Sequence, residues 1–310
     1  MGTPFRWFAF NLFILIALAL DLGVFHRKPH KIKLKEAALW SGVWILLATL
    51  FGIGVWYWFG RQRGLEYFTG YIIEKALSVD NLFVFLVIFR LYHVEERIQH
   101  RVLAWGIIGA LIMRGILIAV GAELVSKFQW VLVLFGAFLI YTGIRMLQMR
   151  EKEVHYEKNP FFRFASRHLP VTKTYQGERF VVKEDGRRMF TPLFLVLLIV
   201  EITDVTFAVD SIPAIFGITQ DAFIVYTSNV FAILGLRALY FLLADVLEYF
   251  RYLSIGLAAV LIFVGAKMIA DLWLHISVSM SLGIVATLLI AAMLFSLVRP
   301  RQPRSSPKLD

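Results

Sequence analysis

Long apolar stretches separated by short polar segments run from the start of the chain to about residue 298. Each stretch is long enough to cross a hydrocarbon layer of roughly 30 Å as a helix. The nine predicted spans are Trp7–Phe25, Ala37–Phe59, Phe68–Phe89, Leu103–Val120, Trp130–Leu147, Phe190–Phe216, Phe223–Leu247, Leu253–Leu274 and Val278–Val298. The pattern therefore predicts an all-α polytopic membrane protein.

One long polar segment divides the predicted spans into five and four. It contains ERFVVKEDGRRMF, where β-forming residues alternate around Asp185 and Gly186, which predicts a β-hairpin. The predicted organisation is two N-terminal transmembrane helices (1–67), a first three-helix repeat (68–147), a cytoplasmic linker with this hairpin (148–189), a second three-helix repeat (190–274), a ninth transmembrane helix (275–298) and a disordered cytoplasmic tail (299–310).

The two repeats are visible as three matched pairs of segments. EKALSVDN, from Glu74, matches DVTFAVDS, from Asp204, and we call these two segments the cassettes. ALIMRGILIAVGAEL matches AILGLRALYFLLADVL, and FGAFLIYTGIRM, ending at Met146, matches LAAVLIFVGAKM, ending at Met268. Three helices per unit force opposite orientations, so we expect inverted repeats, as in many secondary transporters. Duplication without a transport role is the alternative interpretation.

The cassettes place acidic side chains inside predicted membrane spans. Each such residue costs roughly 2.5–3.5 kcal/mol to insert, so a matched set indicates a functional site rather than structural ties. The candidate metal ligands are Glu74, Asp80, Asn81, Glu201, Asp204, Asp210 and Ser211. All offer oxygen, which suits a hard divalent cation such as Mn²⁺, Mg²⁺ or Ca²⁺. The five carboxylates among them exceed what one divalent ion neutralises, so protons are a candidate counter-substrate.

Three further features complete the predicted site. Pro213 is expected to break the sixth helix and free the carbonyl of Val209, so that this helix holds most of the ion. The expected supporting ion pairs involve the arginines and acids of the second matched pair of segments, Arg114, Arg237, Glu123 and Asp245. Asp21, alone near the cytoplasmic end of the first helix, is an additional candidate, and an ordinary residue of the membrane interface is the alternative interpretation.

Composition and charge narrow the functional class. Hydrophobic residues make up 59% of the 310 positions and the mean hydropathy is +0.72, which excludes a soluble domain. The net charge of +10 does not indicate nucleic acid, because most lysines and arginines fall in alternate loops. By the positive-inside rule the N-terminus lies outside and the C-terminus in the cytoplasm. The basic surplus then faces anionic lipid headgroups.

The chemistry of the side chains argues against an enzyme. The chain has no cysteine, and its histidines show no metal-binding spacing, so neither a resident cofactor nor a histidine metal site is expected. A membrane scaffold that assembles other proteins through the basic linker is the main alternative to a transporter. An intramembrane aspartyl protease is a third, although its YD and GxGD motifs are missing.

Three segments carry a resemblance to a known family: GYIIEKALSVDNLFVF, VEITDVTFAVDSIPAIFGIT and SNVFAILGLRALYFLLA. They resemble the signature segments of the TerC family of integral membrane proteins, especially those of its Alx branch. The resemblance also implies membership of the LysE superfamily of transporters, in which the TerC family is placed. The resemblance implies a bacterial inner-membrane exporter of Mn²⁺. It also implies that the six candidate ligands in the cassettes, together with Glu201, carry this function.

Overall fold

The structure is a computed structural model that describes residues 2–23, 34–148, 170–172, 174–184, 187–243, 252–274 and 276–298. Ten helices and two short strands form these segments. The helices are α1 (Pro4–Gly23), α2 (Leu34–Phe59), α3 (Arg61–Leu91), α4 (Glu96–Lys127), α5 (Trp130–Gln148), α6 (Pro192–Phe216), α7 (Ala222–Ile233), α8 (Leu236–Leu243), α9 (Leu253–Ala270) and α10 (Val278–Val298). The strands are β1 (Val181–Glu184) and β2 (Arg187–Phe190).

Seven of the described helices are long and apolar enough to cross a membrane, and α7 with α8 would make an eighth span if the bent pair is counted once. The protein is therefore mostly helical and polytopic. The predicted span that is not among these helices is α3. At 31 residues, or about 46 Å, it is long enough, but Glu74, Lys75 and Asp80 interrupt its apolar sequence. The total of nine membrane spans therefore stays a prediction.

The helix break lies in the seventh predicted span and not, as the sequence predicted, in the sixth. Helix α6 continues through Pro213 to Phe216, because the proline stands in the last turn and disturbs few backbone hydrogen bonds. Helices α7 and α8 instead meet at 41°. Gly235 lies between them with φ +81°, a conformation that side chains disfavour.

The matched helices α5 and α9 pack very closely through small residues. A Cβ atom added at Gly265 would lie 2.5 Å from the carbonyl oxygen of Gly136, and one added at Gly143 would lie 2.8 Å from that of Ala258. Only small residues allow backbones to approach this closely. Advancing along α5 therefore means moving backwards along α9, so the two helices run antiparallel.

The two strands lie within the segment where the sequence predicts a hairpin. They pair antiparallel, with Val181 opposite Phe190, while the predicted turn at residues 185 and 186 lies outside the described residues. The residues before β1 dock on the helical body: Arg101 of α4 pairs with Glu178 at 3.1 Å, and Tyr175 donates to the carbonyl of Tyr92 at 2.6 Å. Burial raises the pKa of the Tyr175 hydroxyl. The described residues just before β1 are thus attached at the junction of α3 and α4.

Candidate functional site

A buried arginine joins the two cassettes. The side chain of Arg114, in the middle of α4, is 1% exposed, and that of Glu74 is fully buried. The guanidinium donates two hydrogen bonds of 3.1 Å to Asp204, one to each carboxylate oxygen, and a third to Glu74. Glu74 on α3 and Asp204 on α6 occupy equivalent positions in the two cassettes. The structure therefore brings the matched acids together around one cation.

Two neutral side chains complete this cluster, which we call the Arg114 cluster. Arg114 Nη1 lies 3.4 Å from Ser211 Oγ and 3.4 Å from Asn229 Oδ1. Ser211 belongs to the second cassette, seven residues after Asp204, so a regular helix places both on one face. Asn229 lies on α7 and is fully buried. Helices α3, α4, α6 and α7 thus each contribute to one polar centre.

The Arg114 cluster is not fully satisfied. Oε2 of Glu74 and Nδ2 of Asn229 are buried without a hydrogen-bond partner. Two ionised carboxylates and one guanidinium would leave one net negative charge. A buried acceptor without a donor costs about 1–3 kcal/mol, and more when it is charged. A proton at Glu74 would cancel the excess charge, and a divalent metal ion in place of the guanidinium would neutralise both carboxylates.

The aspartates at the far end of each cassette lie apart from this cluster. Asp80 on α3 accepts a hydrogen bond of 2.8 Å from Ser254 on α9. Asp210 on α6 accepts one of 3.4 Å from Thr142 on α5. Each aspartate is thus bonded by a hydroxyl group from the third helix of the other predicted repeat.

The carboxylate of Glu201 lies over the backbone of α4. A Cβ atom added at Gly109 would lie 2.0 Å from Glu201 Oε1, so this glycine leaves the space that the acid fills. Asn81 is buried on α3. Within the described residues no three His, Asp or Glu side chains converge as a metal cluster. The predicted single shell of seven ligands is therefore not assembled in this structure.

The predicted ion-pair residues have other partners than expected. Arg237 on α8 pairs with Asp21 on α1 at 2.9 Å, and both are buried. This pairing gives Asp21 a structural partner. Glu123 does not pair with an arginine but with Lys127, one turn further along α4, at 2.7 Å on the exposed surface. Asp245 lies outside the described residues.

Two polar residues of the membrane core were not predicted as site residues. One is Asn229, whose signal was an amide side chain in an otherwise apolar helix. The other is Lys75, adjacent to Glu74, whose ammonium group lies 3.1 Å from the carbonyl oxygen of Ala232. In the structure this lysine bonds backbone carbonyls at the α7–α8 break.

Comparison with known proteins identifies the family of this chain. The family model of the integral membrane protein TerC family matches residues 59–304, which include every residue of the Arg114 cluster. The chain belongs to the TerC family. It is 48% identical over 306 residues to the uncharacterized membrane protein STKORF319 of Myxococcus xanthus, covering 99% of this chain and 96% of that protein.

Two other relatives are nearly as similar along their lengths. The Escherichia coli K12 protein named "Putative membrane-bound redox modulator Alx" is 46% identical over 299 residues, covering 94% of this chain and 93% of that protein. An uncharacterized membrane protein of Rickettsia felis is 42% identical over 293 residues, covering 94% of this chain and 97% of that protein. No solved structure matches this chain.

Proposed function

We propose that this protein exports a divalent metal cation, Mn²⁺, across the bacterial inner membrane. The observation that carries the proposal is the meeting of Glu74 and Asp204 at Arg114, with one buried carboxylate oxygen left without a partner. A polar contact that only holds membrane helices together is best made by neutral side chains or by equal numbers of opposite charges, since an uncompensated charge is costly there. A surplus of carboxylate is what a cation-binding centre needs.

In this proposal Arg114 is a resident counter-ion that a metal ion replaces. Its guanidinium binds the same carboxylate oxygens that a hard cation would take, and Ser211 and Asn229 offer further oxygens beside them. Carboxylate, hydroxyl and amide oxygens suit Mn²⁺, and the choice of Mn²⁺ among the hard cations rests on the resemblance to the TerC family and its Alx branch.

The packing of the helices supports alternating access by inverted repeats. Helices α5 and α9, which the sequence matches to each other, run antiparallel. Helices α3 and α6 follow the same rule, because Gly70 lies against Ile215 while Glu74, one turn further along α3, meets Ser211 through Arg114. Inverted repeats with a site at their interface are the architecture of many ion-coupled transporters, and placement in the LysE superfamily fits it.

The remaining acids then mark a path on either side of the centre. Asp80 and Asp210 each lie six residues, or about 9 Å, beyond the acid of their own cassette. Since α3 and α6 run antiparallel, these steps lead in opposite directions. A cation leaving the Arg114 cluster would thus meet a carboxylate towards either membrane face.

A wide cavity offers a route to one membrane face. It has a volume of about 610 Å³ and lies between α1, α4 and the start of α7. Its lining extends from Glu123 and Gln220 to Gly115, the residue after Arg114. Tyr226, which also lines it, donates a hydrogen bond of 2.7 Å to Asn11. On the predicted topology this cavity faces outwards, as an exit path requires.

The proposal predicts the effect of neutralising Asp204. Cells that express Asp204→Asn should retain as much manganese as cells without the protein, because the variant loses half of the matched acid pair. Elemental analysis of cells grown in excess manganese measures this. Glu95→Gln is the matched control, since it removes an exposed acid whose partner is Arg97 and which lies outside the cluster and the cavity.

The opposite result would contradict the assignment of the Arg114 cluster as the metal-binding site. If Asp204→Asn is present in the membrane at the normal level and still lowers manganese as the native protein does, the Arg114 cluster does not bind the substrate. A proton on Glu74 is the proposed counter-substrate. Mn²⁺ flux in membrane vesicles must then respond to an imposed pH gradient.

The name of the Escherichia coli relative suggests a second candidate, modulation of redox state. This chain has no cysteine, so its own side chains cannot exchange thiols and disulfides. A redox effect of the protein would have to arise by another route, of which a change in cellular metal content is one. Measuring cellular redox state with manganese held constant separates the two functions.

A further inference from the structure

The break between α7 and α8 leaves backbone carbonyls without helical partners. Helix α7 ends at Ile233 and α8 begins at Leu236. The last carbonyls of a helix have no N–H group of their own helix to accept from. Inside a membrane no bulk water replaces those donors, so a break survives only where other protein groups satisfy it.

The ammonium group of Lys75 fills this position. Its Nζ donates to the carbonyl oxygen of Ala232, in the last turn of α7, at 3.1 Å and to that of Leu234, within the break, at 3.5 Å. The lysine comes from α3, so the contact joins two separate parts of the chain. The other side of the break is covered by Trp44 of α2, whose Cβ would lie 2.8 Å from a Cβ added at Gly235.

We propose that the α7–α8 break is a binding site for a monovalent cation, which this protein occupies with its own Lys75 ammonium. Carbonyl oxygens are ligands for hard cations and for ammonium groups alike. The negative end of the α7 dipole, equivalent to about half a charge, also favours a cation at this place. A cation at a discontinuous helix stabilises the bend, and here the cation is covalently attached.

This site is distinct from the Arg114 cluster. The carbonyl bonds of Lys75 hold the bend in α7–α8, whereas Glu74 turns towards Arg114. The protein therefore needs no alkali cation from solution at this break. Lys75 stabilises this bend whether or not the chain exports manganese.

Chemical rescue of Lys75→Ala tests the site. The substitution removes three methylene groups and the ammonium, so n-propylammonium has the size and charge of the missing part. Thermal unfolding of the purified full-length protein in detergent should show a loss of about 4 °C or more, since two buried carbonyls lose their donor. Added n-propylammonium should restore the midpoint along a saturation curve, and tetramethylammonium, which has no N–H donor, should not.

Two comparisons keep the test decisive. Lys127→Ala removes an exposed lysine that pairs with Glu123, and n-propylammonium should not change its unfolding midpoint. If Lys75→Ala does not fold, Lys75→Arg should still keep the native midpoint, while Lys75→Met, of similar length but neutral, should lower it. The proposal is overturned if Lys75→Met is as stable as Lys75→Arg. It is also overturned if Lys75→Ala unfolds like the native protein, or if n-propylammonium stabilises it no more than tetramethylammonium does.

Discussion

The three charged residues of the Arg114 cluster depend on one another. A planar guanidinium can donate to both oxygens of one carboxylate and still reach a second acid, whereas a lysine ammonium cannot form this fork. Arg114 does so with Asp204 and Glu74. Removing the cation alone would leave two acids buried in the membrane core. The folded state therefore requires Arg114 or another cation in its place.

Substitution of Arg114 should reveal this dependence. Arg114→Gln should lower the free energy of unfolding by about 3–5 kcal/mol, because two buried carboxylates lose their partner. Unfolding of the purified protein in detergent measures the change. Adding Glu74→Gln and Asp204→Asn to the same chain should recover much of the loss.

The control for that prediction is another arginine with an acidic partner. Arg97 lies 2.6 Å from Glu95, but both side chains are mostly exposed. Arg97→Gln should change the unfolding free energy by no more than about 1 kcal/mol. Equal stability of Arg114→Gln and Arg97→Gln would contradict the view that the cluster is held by buried charge.

Among single residues, the sequence indicated that Glu74 and Asp204 belong together, but it did not predict Arg114 as their common partner. Glu74 and Asp204 could be found because an acid in an apolar segment is costly and because the two cassettes repeat. Arg114 and Glu123 lie nine residues, or about 13.5 Å, apart along the same helix, too far for a direct pair. That Arg114 bonds Glu74 and Asp204 depends on how α4 packs against α3 and α6. Helical spacing within α4 contains no information about the acids of α3 and α6.

Among the helices, the close contact of α5 with α9 makes the sharpest demand on residue size. Gly265→Val should destabilise the protein by about 1–3 kcal/mol, because its side chain would meet the backbone of Gly136. Gly283→Val on α10 is the matched control, since nothing lies within 4 Å of a Cβ there.

The same denaturation experiment in detergent compares both variants with the native chain. If the two valine substitutions lower stability equally, the glycines of α5 and α9 do not set the distance between the helices. If only Gly265→Val does so, close backbone approach is the cause, since the two substitutions are chemically identical.

The position of the helix break shows what local rules can and cannot predict. Proline is the stronger breaker by propensity, yet α6 tolerates Pro213 because few helical bonds remain beyond it. Gly235 alone would not break an apolar helix. The break forms there because Trp44 packs against the glycine and Lys75 satisfies the freed carbonyls. Both groups come from other helices, so no pattern within the seventh span could predict the break.

For the whole molecule, the predicted nine-span topology depends on whether α3 crosses the membrane. The chain has no cysteine, so single cysteines can be introduced without any background. If α3 spans the membrane, cysteines in Arg63→Cys and His93→Cys, which flank most of it, should lie on opposite sides. A membrane-impermeant thiol reagent should label the first in intact cells and the second only after permeabilisation.

Labelling near the two termini tests the number of membrane spans independently. Nine spans place them on opposite sides, so Gly2→Cys should be labelled in intact cells and Ser305→Cys should not. Eight spans, with α3 excluded, would place both on the same side. Labelling of Arg63→Cys and His93→Cys from one side would overturn both the nine-span topology and the crossing of α3.

The contact between α5 and α9 has a consequence for the origin of the chain. When the two matched segments are aligned by sequence, Gly136 is equivalent to Ala258 and Gly143 is equivalent to Gly265. The observed contacts join Gly136 to Gly265 and Gly143 to Ala258, so exchanging the two segments reproduces the same pair of contacts. If the predicted inverted repeats arose by duplication, two copies of the ancestral unit inserted in opposite orientations would have made this same contact as a dimer. Duplication and fusion of its gene would then have preserved the homodimer contact within one chain.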